Sequence, residues 1–149
     1  TKHLRGQANF AASTLREIAD LEPFILRVRV DDGEESNVQS VNFCVANARY
    51  FGGGMMIAPD AKLTDGLLDI VNIGAISPAK VVAKGITLYR GTHLGLDEVD
   101  HRLARKIEVS SFESDAEIRL ETDGELPGRL PAVFEAVPDA LLVRVANKS

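Results

Sequence analysis

With 149 residues, 45% of them hydrophobic, the chain is the size of one domain and buries a core without needing disulfide or metal staples. Its net charge of -5 argues against a nucleic-acid partner and against a polybasic membrane tether. A lone cysteine, Cys44, excludes an intrachain disulfide, and no apolar run has the length of a membrane span or the pattern of an export signal, so a cytoplasmic setting is expected.

In chain order, Ala8, Ala11, Ala12, Leu15 and Ile18 recur at helical spacing and predict an amphipathic helix over residues 6–20, ended by Pro23. Leu26, Val28 and Val30 alternate with Arg27 and Arg29, which predicts a half-exposed strand, and Asp31 to Glu35 follow as a polar turn. From Ser40 to Ala48 both alternate sets are apolar, the pattern of a central strand covered on both faces, with Asn47 as a buried structural amide and Cys44 as a buried, inert thiol. Gly52 to Gly54 permit a tight turn or close backbone packing, and Asp65-Gly66 separates them from a further strand over Leu67 to Ile73. Ser77 and Pro78 open a second helix with Val81, Val82, Gly85, Leu88 and Tyr89 on its packed face, Lys80 and Lys84 on a solvated one, and Gly91 past its end. Val99 to Ser110, Ala116 to Thr122, Ala132 to Ala136 and Ala140 to Val145 read as further strands. The expected fold is mainly β: a β-sandwich of many short strands with about two accessory helices, in one domain over residues 1–149.

The run from Asn47 to Asp69, N-A-R-Y-F-G-G-G-M-M-I-A-P-D-A-K-L-T-D-G-L-L-D, resembles the signature of the C-terminal domain of the diacylglycerol kinase and sphingosine kinase family of lipid kinases. The likeness continues in order through Leu88-Tyr89-Arg90-Gly91-Thr92-His93, Thr122-Asp123-Gly124-Glu125 and Leu130-Pro131-Ala132-Val133-Phe134-Glu135, covering most of the chain.

On its own, each Asp-Gly pair (Asp32-Gly33, Asp65-Gly66, Asp123-Gly124) is a turn signal and nothing more. The resemblance implies more for two of them. It gives Asp123 the place of the general base that takes the proton of a lipid hydroxyl, with Glu125 beside it near the nucleotide's metal or a neighbouring cation. A late proton transfer to a positioned carboxylate suits the loose transition state of phosphoryl transfer. It also implies a structural Mg²⁺ site from the Lys62 carbonyl, the Asp65 carboxylate and the Leu67 carbonyl, hard oxygen donors of the kind that ion accepts.

His3, His93 and His101 have no metal-ligand spacing, and no nucleophile motif of the Ser-His-Asp or Cys-His kind is present. Neither G-x-x-x-x-G-K-[ST] nor G-x-G-x-x-G occurs. The resemblance therefore implies that ATP, the cosubstrate, is held mainly by an N-terminal nucleotide-binding domain absent from this chain, and that the chain alone is inactive. The partners it implies are a lipid such as diacylglycerol or a sphingoid base and that N-terminal domain; peripheral membrane contact and a homodimer stay open. Two other readings stand beside it: part of an NAD-kinase-like nucleotide kinase, and a non-catalytic β-sandwich that binds lipid or protein.

Overall fold

The computed structural model describes residues 22–144; the helix expected over residues 6–20 lies outside them. Among the described residues the chain forms nine strands, one α-helix and one 3-10 turn. The strands are β1 Phe24–Val30, β2 Ser36–Ser40, β3 Asn42–Ala46, β4 Leu68–Ile73, β5 Val99–Ala104, β6 Lys106–Ser111, β7 Arg119–Thr122, β8 Glu125–Arg129 and β9 Ala132–Glu135. The helix, α1, covers Pro78–Arg90 and the 3-10 turn His93–Gly95. All the strand pairings are antiparallel: a four-stranded sheet in the order β2-β1-β6-β9, a three-stranded sheet β3-β4-β5, and a hairpin β7-β8.

The two larger sheets make the expected sandwich. Leu26 and Val28 of β1 and Ile107 and Val109 of β6 turn their alternate, apolar side toward Ile70 of β4 and Ala104 of β5, and this cluster fills the space between the sheets. A second cluster lies on the opposite face of the three-stranded sheet, where Ala46 and Val71 meet Ile57, Ala58 and Ala61 of the connecting segment. Leu88 of α1 and Leu94 of the 3-10 turn pack on its edge. Successive residues of β4 therefore face two different cores, and Leu68 to Asn72 are all buried.

The central strand covered on both faces is thus β4. The run from Ser40 to Ala48 instead changes sheets at Val41, whose N–H donates to the Ile73 carbonyl, and β3 is a half-exposed edge strand. Asn47 lies in the bend beyond it and is exposed. Cys44 is half-buried, and desolvation pushes its thiol up to about 11, consistent with an inert side chain.

The expected strand over Val99 to Ser110 is likewise two strands in different sheets, β5 and β6, parted at Arg105. Three hydrogen bonds pin that crossing: the Arg105 and Lys106 N–H groups donate to Asp31 Oδ1 at 2.8 and 3.0 Å, and the Ala136 N–H donates to the Arg105 carbonyl at 2.8 Å. Residues 140–144 form no strand and are exposed.

The ends of α1 follow the sequence reading. Ser77 accepts from the Lys80 N–H, Pro78 is the first helical residue, and Gly91 closes the helix at φ 67°. Its sides do not. Val82 and Tyr89 face outward, and Lys80 is paired with Glu98 rather than solvated alone.

Candidate functional site

The β7-β8 hairpin carries the first predicted group. Thr122 pairs with Glu125 across a two-residue loop, and Asp123 and Gly124 both have positive φ, 51° and 85°. That is the geometry of a type I′ turn, which needs Asp or Asn and then Gly because other side chains collide with the backbone there. The hairpin is rooted in the sandwich by Ile118 and Leu130, which pack on the inter-sheet core and are joined by a 2.9 Å bond from the Leu130 N–H to the Ile118 carbonyl. Its tip is exposed, and among the described residues neither the Asp123 nor the Glu125 carboxylate has a hydrogen-bond or ion-pair partner. Two carboxylates therefore stand in solvent at a fixed turn, open to a donor from a ligand.

The second predicted group lies on the loop entering β4. Asp65 Oδ1 accepts the Leu67 N–H at 3.0 Å, an Asx turn, and Gly66 at φ 69° reverses the chain. Pro138 packs so near Gly66 that an added Cβ would sit 3.2 Å from its ring, a tight contact on top of the positive φ that favours glycine. The loop is moored from the other side by Arg49, whose Nε donates to the Ala61 carbonyl at 3.1 Å. Lys62 and Asp65 are exposed and Leu67 is half-buried.

Among the described residues no three His, Cys, Asp or Glu side chains cluster. A divalent cation at this loop would draw on the Asp65 carboxylate with the Lys62 and Leu67 carbonyls and water. The donor set fits Mg²⁺, which keeps several waters and takes few protein oxygens, and the Asx turn leaves one Asp65 oxygen uncommitted. The loop and the hairpin are separate elements: β7 and β8 pair only with each other, whereas residues 62–67 lead into the three-stranded sheet.

The structure also engages Asp69, which sequence reasoning passed over, and two histidines it had considered only as metal ligands. His101 Nε2 donates to Asp69 Oδ1 at 2.7 Å, with Asp69, the second residue of β4, only 2% exposed. His93 is buried and its Nε2 donates to the Ile57 carbonyl at 2.9 Å, fastening the 3-10 turn to the segment after the three glycines. The available signal for Asp69 was a carboxylate inside the apolar run Leu67 to Ile73; its histidine partner, 32 residues away, had none. A surface cavity of about 310 Å³ crosses the outer face of the four-stranded sheet, lined among others by Arg27, Arg29, Glu108 and Val133, and includes none of the predicted site residues. Among the described residues no helix is long and apolar enough to cross a membrane.

Comparison with known proteins adds sequence relatives and folds to this geometry. A family model described as the YegS C-terminal NAD kinase beta sandwich-like domain matches residues 1–145. The chain is 33% identical over 138 residues to a diacylglycerol kinase of Mycobacterium tuberculosis (strain H37Rv), covering 93% of this chain and 43% of that protein. It is 25% identical over 133 residues to a diacylglycerol kinase of Bacillus subtilis (strain 168), covering 89% of this chain and 43% of that one. The chain thus spans less than half the length of these curated relatives. A crystal structure of a diacylglycerol kinase from Bacillus anthracis str. Sterne shares the fold with a TM-score of 0.53 at 22% identity, over 82% of this chain and 43% of that chain. A second structure from the same strain reaches a TM-score of 0.62 at 24% identity, over 83% and 40%.

Proposed function

From the premise that this chain belongs to the YegS C-terminal NAD kinase beta sandwich-like family, we propose that it is the acceptor-side domain of an ATP-dependent lipid kinase that phosphorylates a lipid hydroxyl such as that of diacylglycerol. Relatives named diacylglycerol kinase at up to 33% identity support the substrate class. The observation that carries the chemistry is Asp123: a carboxylate at a rigid, positive-φ turn, exposed and without a partner among the described residues.

In this reading Asp123 accepts a hydrogen bond from the lipid hydroxyl, turns its oxygen toward the transferred phosphoryl group and takes the proton late in the reaction. Glu125, on the next strand of the same hairpin, holds a cation near the transferred group. Lys62, Asp65 and Leu67 would hold Mg²⁺ through two carbonyls and one carboxylate, and the ion would brace the loop entering β4. Nucleotide binding belongs mainly to the part of the relatives that this chain does not span, so the chain alone is inactive.

A second reading, a nucleotide kinase of the NAD-kinase type, draws on the family description itself. One assay separates them. The full-length protein is given labelled ATP with diacylglycerol, a sphingoid base or NAD as acceptor, and this chain alone is run in parallel. Label is expected in diacylglycerol with the full-length protein only. Label in NAD alone overturns the lipid reading, and lipid labelling by the isolated chain overturns the need for a second domain.

A further inference from the structure

Both ends of the loop entering β4 are tied to one short stretch of chain, residues 46–49. At the exit, Asp69 of β4 pairs with Ala46, the last residue of β3. At the entry, the Arg49 Nε donates to the Ala61 carbonyl at 3.1 Å, and the Arg49 carbonyl accepts the Ala58 N–H at 3.3 Å. The turn from Ala58 to Ala61 is itself closed by a 3.1 Å bond from the Ala61 N–H to the Ala58 carbonyl, so a single arginine holds it through both main chain and side chain. Ile57, Ala58 and Ala61 are buried in the second cluster, which gives that hold a fixed base.

The three oxygen donors of this loop are not secured by the same means. The Asx turn sets the Asp65 carboxylate against the Leu67 peptide, and Leu67 leads directly into β4. Lys62 stands at the far end of the exposed residues 62–65, and its place is set by its neighbour Ala61, whose carbonyl Arg49 holds. Charge works in the opposite sense, because a guanidinium beside the loop repels a divalent ion. Among the described residues Arg49 forms no ion pair, not even with exposed Asp60 in the turn it holds. What the arginine offers a cation loop is therefore its Nε–H donor and not its charge.

We infer that Arg49 is a positioning residue for the cation loop: by holding the Ala61 carbonyl it fixes the stretch that carries the Lys62 carbonyl before an ion binds, so less freedom is lost on binding. This rests on the proposed reading of Lys62, Asp65 and Leu67 as an Mg²⁺ loop and deepens it by naming a residue outside the donor set that governs its affinity.

The test uses the full chain free of nucleotide, with Mg²⁺ alone as the probe and its Kd read from the rise in melting temperature with ion concentration. Arg49→Gln places a side-chain N–H as far along the side chain as the arginine Nε, without the charge, and should bind Mg²⁺ as tightly as wild type or more so. Arg49→Met has neither donor nor charge and should bind roughly ten-fold more weakly, the lower end of what losing an outer partner of a metal ligand costs. Arg49 is exposed, so both variants keep the fold, as checked by circular dichroism. Val28→Ala in the inter-sheet core is the structural control: it should lower the metal-free melting temperature and leave the Kd unchanged. Unchanged Mg²⁺ binding by Arg49→Met would overturn the inference, and so would binding by Arg49→Gln as weak as that of Arg49→Met. If wild type responds to Mg²⁺ and Asp65→Ala does not, while both Arg49 variants bind normally, the cation loop stands and the arginine's role falls. If wild type itself shows no response, the cation reading falls and takes the arginine's role with it.

Discussion

Asp31 and Asp123 sit at almost the same backbone angle, φ 50° and 51°, each at a turn between neighbouring strands, yet their carboxylates do opposite things. Asp31 is consumed by the fold: its Oδ1 takes the N–H groups of Arg105 and Lys106, which hold the point where β5 gives way to β6. These two backbone hydrogen bonds lower its carboxyl below the ordinary carboxylate range, the Lys106 bond most. A carboxyl whose folded value lies below its unfolded one stabilises the fold above the unfolded value and loses that contribution as pH falls through the folded one. Asp31→Asn tolerates the same φ, so the substitution removes charge rather than turn geometry. We expect it to lower the melting temperature near neutral pH, with the gap to wild type closing below the ordinary carboxylate range. A gap that persists unchanged at acid pH would contradict this role. None of it was legible in sequence, where Asp31 reads as one acid in a polar turn and its partners lie 74 and 75 residues away. For Asp123 the bare Asp-Gly pair meant a turn, which the structure has, and its proposed role came only from family likeness.

At the scale of elements, β4 decides how the sandwich is built, because its residues alternate between two cores. Ile70→Ala and Val71→Ala should therefore both be destabilising although they face opposite ways. For Ile70→Ala the cost is about 2–5 kcal/mol, the usual range for truncating a buried isoleucine. Val45→Ala on the half-exposed edge strand β3 should cost less, and urea unfolding of the three variants checks the order. The strand pattern itself was readable from alternation, as were the caps of α1, since Ser77, Pro78 and Gly91 act locally. Sheet membership was not. Periodicity marks a strand's two faces but not the partners that cover them, so two sheet changes, at Val41 and Arg105, were hidden inside apolar runs. For the same reason the outward apolar face of α1 looked like a packed one. In the β7-β8 hairpin, Gly124→Ala meets no atom within 4 Å, so its cost is purely conformational, about 1–2 kcal/mol for a left-handed residue. That variant should reduce activity by moving Asp123 while leaving global unfolding only slightly shifted.

At the scale of the whole molecule, the chain is a sandwich holding one exposed carboxylate hairpin and one Asx-turn loop, and the proposal makes it the acceptor-side scaffold of a longer kinase. Saturating Mg²⁺ should raise the melting temperature of the chain, since an ion that binds only the folded state adds about 2.7 kcal/mol at a hundred times its Kd. Asp65→Ala should abolish that increment, and a full Mg²⁺ response in that variant would exclude the loop as the site. The claim on which the functional account rests is that Asp123 takes the proton of the acceptor hydroxyl. Asn keeps the type I′ turn and the size of the side chain, so Asp123→Asn isolates the chemistry from the fold. The most direct measurement is the steady-state rate of diacylglycerol phosphorylation by the full-length enzyme carrying Asp123→Asn, with Asp32→Asn as the matched control. A fall in kcat of roughly 10²- to 10⁴-fold with a near-constant KM for ATP, beside an unchanged control, is the predicted result. A folded Asp123→Asn enzyme with kcat within a few-fold of wild type would contradict it and leave Asp123 as a turn residue.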